Sequence, residues 1–200
     1  MENEVKEPAP KYNRLSPDEY LAMERAAETK HEYYDGEIVA MSGARLKHLQ
    51  IASNLLASLS PALREKGCRM FLSDMRVATP GRDGYFYPDG SIICGEPVTE
   101  DNMFDTLTNP SVIFEILSAS TRKYDMFYKF MYYKQIPSLQ EYIMIDSLNW
   151  WAQASVKEAD NKWTTKEYTI EDMLDINTIN YSLPFDEIYR LTGLQRQLTG

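Results

Sequence analysis

The hydrophobic and polar positions of this chain fall into blocks that predict strands interleaved with helices. The deepest apolar run is at residues 111–117. Pro110 opens it, and Ser118, Ala119, Ser120 and Thr121 close it. Its length and its β-branched and aromatic content predict a buried strand. Successive strand side chains point to opposite faces, so Ile113, Glu115 and Leu117 share one side. Glu115 is then a carboxylate inside a core strand, which is costly unless it is paired, hydrogen-bonded or bound to a metal.

The remaining pattern is read from the N-terminus. Ser16, Pro17 and Glu19 have the spacing of a capping box with proline at the first helical position, predicting a helix to about residue 30 with Tyr20, Leu21, Met23 and Ala27 inward. Asp35 and Gly36 mark a hairpin turn between short strands. Residues 47–66 carry Leu49, Ile51, Leu55, Leu56, Leu59 and Leu63 at helical spacing, with Pro61 a candidate kink and Gly67 the stop. Residues 69–72 and 75–78 read as strands, 80–84 as a turn, and 85–94 as a strand interrupted at Pro88 and Asp89. Residues 95–109 read as a loop. A helix over 122–135, carrying Phe127, Phe130, Met131 and Tyr133, ends before Pro137, and 140–146 is another buried strand. Residues 150–156 and 163–169 alternate as exposed antiparallel strands, turning at Ala159, Asp160 and Asn161. Residues 183–189 form a short closing helix or turn. This order predicts an α/β or α+β fold.

Composition narrows the class. At 200 residues, 44% hydrophobic and 26% charged, the chain suits one globular domain over residues 12–200 behind a disordered arm at 1–11. No run reaches the roughly 20 apolar residues of a membrane span, and the polar start does not read as a signal peptide, so a cytoplasmic protein is expected. Cys68 and Cys94 lack metal-type spacing and are expected to be reduced thiols. The net charge of −9 disfavours a broad basic surface for nucleic acid. It leaves room for a local basic groove, or for a site whose acidic groups are neutralised by metal.

Glu32, Asp89 and Glu115 each precede or interrupt β-type sequence. Carboxylates from neighbouring elements suit Mg²⁺, a hard cation that polarises phosphoryl oxygens and activates water. Taken singly, each has a plainer reading: Glu32 a solvated residue at a helix end, Pro88-Asp89-Gly90 a turn, Glu115 a structural salt bridge to Arg76 or Lys129. Lys129 reads as a solvated helix position, His48 as a surface or capping histidine, and Tyr124, Tyr128, Tyr132 and Tyr133 as packing residues.

Pro88-Asp89 followed by Glu115 resembles the PD-(D/E)XK nuclease pattern, and the ordered set of residues resembles the Uma-two (Uma2) family of restriction endonucleases. That set is Ser16-Pro17-Asp18-Glu19-Tyr20; Glu32 with Asp35-Gly36-Glu37-Ile38; His48; Pro88-Asp89; Glu115 through Thr121; Asp125, Lys129 and Tyr133 at four-residue steps; Glu141-Tyr142; and Asp146. It spans roughly residues 12 to 190. The resemblance implies a restriction-endonuclease-like αβββαβ core, a mixed central sheet flanked by helices with a C-terminal β-hairpin. It implies Glu32, Asp89 and Glu115 around Mg²⁺ (or Mn²⁺), hydrolysis of DNA phosphodiesters, and a homodimer. The chain departs from the superfamily at Leu117, where that pattern has lysine. Either a cation reaches the site from elsewhere, Lys129 first and Lys123 second, with His48 as a base or phosphate contact, or the protein is a catalytically weak or inactive DNA-binding or interaction module on the same fold.

Overall fold

The computed structural model describes residues 14–41, 43–119 and 122–196; the arm expected at residues 1–11 lies outside them. Helix α1 (Pro17–Ala26) begins with the predicted capping box: Ser16 accepts from the Glu19 backbone and Glu19 returns to the Ser16 N–H. It ends earlier than the spacing predicts. Tyr20 and Leu21 are buried, Met23 is half-buried and Ala27 is exposed. Strands β1 (His31–Tyr34) and β2 (Glu37–Ala40) form the hairpin around Asp35 and Gly36. Gly36 has φ +89°, and a Cβ there would sit 2.5 Å from Arg14, so glycine is required on both grounds. Helix α2 (Leu46–Lys66) runs through Pro61 and stops at Gly67, which is left-handed at φ 66°.

Five further strands follow: β3 (Cys68–Leu72), β4 (Arg76–Ala78), β5 (Gly84–Phe86), β6 (Gly90–Cys94) and the short β7 (Thr106–Leu107), which lies within the expected loop. After β8 (Val112–Leu117) comes a π-helical segment (Tyr124–Lys129) continuing into α3 (Phe130–Tyr133). The chain closes with β9 (Glu141–Asp146), β10 (Trp151–Lys157), β11 (Trp163–Thr169), β12 (Met173–Ile176), β13 (Tyr181–Pro184) and α4 (Phe185–Ile188). The fold is α+β, with mixed sheets flanked by helices.

The strands divide into more than the single central sheet expected. One sheet has the order β2-β1-β5-β4-β7, a second β11-β10-β9-β8-β6-β3, and β12 pairs with β13. The division falls where the chain passes from β5 to β6 through Tyr87, Pro88 and Asp89. Proline cannot donate to a ladder there, so pairing ends and restarts in the other sheet. The second sheet is mixed: β8 runs parallel to β9 and antiparallel to β6. The hairpin expected near the C-terminus is β10–β11, joined to β9.

β8 is buried along its whole length and separates two apolar layers. Val112, Phe114 and Ile116 pack with α2 residues Ile51, Leu55 and Leu59. Ile113 and Leu117 pack on the opposite face with Tyr133, Tyr142 and Met144. Such strands gain their place by burying both faces. Glu115 is directed into the second layer.

The expectation of reduced cysteines is overturned. β3 and β6 are in register with Cys68 opposite Cys94, the Cα atoms are 4.1 Å apart, and the two form a disulfide. Their separation of 26 residues carries no recognisable signal; the pairing is created by the antiparallel ladder. Replacing both with serine is expected to cost about 3 kcal/mol. Urea midpoints of the oxidised protein, the reduced protein and the double variant check this: the last two should coincide below the first, and three equal midpoints would contradict it.

Candidate active site

The buried charged cluster sits on the face of β8 that the helical segment covers. Within that segment Asp125, Lys129 and Tyr133 are buried, while Phe127, Tyr128 and Met131 face out. The π-helical turn widens the winding, so four-residue steps stay on one inward stripe; such turns are often found at functional sites.

Lys129 is the hub. It is 5% exposed, and its Nζ lies 2.8 Å from Glu32 Oε1, 3.2 Å from Glu115 Oε1 and 3.4 Å from Asp125 Oδ1. The Tyr133 hydroxyl donates to the same Glu115 oxygen at 3.2 Å. Glu32 on β1 also accepts from the Tyr87 backbone N–H at 3.2 Å. The Tyr87 hydroxyl donates to buried Glu24 and accepts from Arg76, which fixes the segment joining the two sheets. Arg76 pairs with Asp105 rather than Glu115.

Asp89 borders this cluster. Its Oδ2 accepts from the Ile116 backbone N–H at 2.6 Å, and its Oδ1 lies 2.7 Å from His48 Nε2. It stands near enough to Glu115 for its charge to raise the Glu115 pKa. Pro88 and the sheet crossing thus place Asp89 just before the start of β6, beside β8, while α2 brings in His48. Lys123 is exposed and outside the cluster. Leu117 is buried with the apolar layer.

Charge is not balanced here. Three carboxylates face one ammonium, and a fourth carboxylate stands beside them. Burial pushes Glu115 well above the ordinary carboxylate range, against the pull of Lys129 and with added push from Asp125, Asp89 and Glu32. Glu32 is raised by burial too, with Lys129 opposing. Burial lowers the Lys129 pKa, but Glu115, Glu32 and Asp125 together outweigh it, and the ammonium is held well above its usual value. Among the described residues, no group of three or more His, Cys, Asp or Glu side chains converges in a metal-binding arrangement; the Lys129 ammonium contacts both Glu32 and Glu115. The donor set itself fits a hard divalent cation: all-oxygen, acidic and in surplus over the buried cations.

The structure therefore brings Glu32, Glu115 and Lys129 into direct contact and seats Asp89 at their edge. Asp125 and Tyr133 also line the cluster; the sequence signal for them is their four-residue step with Lys129. The solvated reading of Lys129 and the surface reading of His48 do not hold: the first is buried in ion pairs and the second is bonded to Asp89.

Two substitutions are expected to shift stability in opposite directions. Lys129→Met leaves buried carboxylates without their cation and should cost about 3–5 kcal/mol. Glu115 titrates above its ordinary 4.5, so the folded protein holds a proton the unfolded chain has released, and stability falls as pH rises from 4.5 through the raised value. Glu115→Gln removes that loss. Without metal it should melt above wild type at alkaline pH, with the gap closing as pH falls to 4.5. Thermal melts across pH check both; a lower melting temperature for Glu115→Gln throughout would contradict the charge surplus.

A family model described as "Putative restriction endonuclease", Uma2, matches residues 17–185. Two Synechocystis sp. proteins, both named as uncharacterized, are similar. One is 37% identical over 153 residues, covering 76% of this chain and 86% of the relative; the other is 33% identical over 183 residues, covering 92% and 95%. A crystal structure from Anabaena variabilis, described as "a putative nuclease belonging to DUF820", superposes with a TM-score of 0.75 at 17% identity over 89% of this chain and 99% of that one, showing the same fold. With its early capped helix, its Pro88-Asp89 crossing and its Glu115 strand inside the matched span, this chain belongs to the Uma2 family.

Proposed function

We propose that the protein is a metal-dependent endonuclease hydrolysing DNA phosphodiester bonds. The observation that carries this reading is the surplus of buried carboxylates around one ammonium, next to Asp89, in a family described by nuclease activity. Isolated buried charge is expensive, and a fold that keeps it needs a compensating role for it. Asp89 and Glu115, with Glu32, would hold Mg²⁺ or Mn²⁺. When bound, such an ion supplies Lewis-acid polarisation of a phosphoryl oxygen and a more acidic water.

The chain's own residues do the rest. Lys129 holds Glu32 and Glu115 on one side of β8 and keeps a positive charge beside the place where phosphate charge develops. It would supply from the helix the positive charge that Leu117 cannot supply from the strand. Tyr133 fixes the orientation of Glu115, and the Ile116 N–H and His48 fix Asp89. Arg45 and Lys47 beside His48, and Lys123 before the helical segment, are exposed and have no ion-pair partner among the described residues, so they are available to phosphates. A homodimer belongs to the same reading and rests on family likeness. No helix among the described residues is long and apolar enough to cross a membrane.

A second reading, a DNA-binding or interaction module without catalysis, is favoured by the ammonium lying between the carboxylates and by the acidic net charge of −9. Plasmid and oligonucleotide cleavage separates the two. The endonuclease reading expects cutting with Mg²⁺ or Mn²⁺, none with EDTA, and a loss of at least about a hundredfold in Asp89→Ala and Glu115→Gln. Cutting that survives EDTA overturns the metal. Binding without cutting, unchanged in Glu115→Gln, favours the module.

A further inference from the structure

The tyrosines around the helical segment do not all pack in the interior. Tyr133 is buried, donates to Glu115 and meets Phe86 edge-on at 5.2 Å between ring centroids. From Phe86 the ring contacts continue to Tyr132 at 5.5 Å, from Tyr132 to Tyr34 at 6.3 Å, and from Tyr34 to Tyr124 at 5.8 Å. The row ends with Tyr128 stacked on Tyr124 at 6.0 Å and 26°. Tyr128 is 63% exposed, and its neighbour Phe127 is 64% exposed. A continuous aromatic row therefore runs from the carboxylate cluster to solvent.

Two details set the outer end apart from ordinary packing. The Tyr124 ring lies 5.8 Å from the Lys129 ammonium, so the platform is attached to the hub of the site. The Tyr124 hydroxyl is enclosed and has no hydrogen-bond partner among the described residues, so the ring rather than the hydroxyl is what this residue contributes to the outer face. Exposing two adjacent aromatic rings next to an acidic cluster also has a cost that a purely structural role does not recover.

We propose that Tyr128, backed by Tyr124, is a stacking platform for an unpaired nucleobase, so that the cluster acts on single-stranded or locally unpaired DNA. This rests on the endonuclease reading and specifies its substrate. Stacking suits a chain of net charge −9, because a π-face attracts any base without a broad basic surface. Paired bases have their faces covered by neighbours, so a duplex cannot use the platform without opening.

The test is equilibrium binding by fluorescence anisotropy in EDTA, where metal-dependent cutting is silent. It compares a labelled single-stranded thymidine oligonucleotide with a duplex of equal length. Wild type is expected to bind the single strand more tightly. Tyr128→Ala should lose about tenfold for the single strand, with duplex binding unchanged and Tyr128→Phe close to wild type. Equal single-strand affinity for wild type and Tyr128→Ala overturns the proposal, as does a loss shared by the duplex. A change from dimer to monomer in Tyr128→Ala by light scattering, with DNA affinity unchanged, would make this face a contact between copies and also overturn it. Because the readout is binding without metal, the platform stands or falls separately from cleavage: an EDTA-resistant or absent nuclease with intact stacking defeats only the first reading.

Discussion

The position of one ammonium inside the protein constrains most of what surrounds it. Lys129 is buried against Glu32, Glu115 and Asp125, which come from β1, β8 and its own helical turn. Those elements belong to different sheets and different stretches of sequence, so the contact ties the two sheets and the covering helix together. A buried pair is weak evidence for stability, since desolvation consumes much of its attraction. Here the carboxylates outnumber the lysine, and burial, with a smaller push from the neighbouring carboxylates, raises Glu115 and Glu32 against the pull of Lys129. The site is a place where the fold gives up stability, which is what the proposed metal chemistry would account for.

The rest of the structure holds that arrangement in place. β8 is covered on both faces, one side by α2 and the other by Tyr133, Tyr142 and their neighbours. Its backbone is therefore fixed, and the Ile116 N–H can hold Asp89 at 2.6 Å. The crossing through Pro88 moves the chain from one sheet to the other and leaves Asp89 at the start of β6. The Cys68–Cys94 disulfide closes the far end of that strand onto β3. Leu117 fits the same logic: it fills the apolar layer, and the positive charge comes from the helix above.

Much of this was legible in the sequence, because alternation and helical spacing report burial directly. The β8 strand, the α1 capping box, the Asp35-Gly36 hairpin and the β10–β11 hairpin follow from local pattern. Lys129 could be singled out only through its four-residue step from Asp125 and its position after Glu115. Other features depend on contacts distant in sequence. The disulfide comes from strand register, and the division into two sheets comes from how Tyr87, Pro88 and Asp89 leave one ladder. The π-helical turn has no marker in a 3.6-residue pattern. The tyrosine cluster reads as packing in sequence, and only the three-dimensional arrangement separates buried Tyr133 from exposed Tyr128.

The carboxylates around Lys129, with Asp89, are proposed to form a metal centre. Calorimetric titration of Mn²⁺ into the protein, repeated in buffers of different protonation enthalpy, decides the matter. Saturable binding accompanied by proton release from the raised carboxylates is expected, with loss of both in Asp89→Ala. Heats that are indistinguishable between wild type and Asp89→Ala, with no proton released, would contradict it.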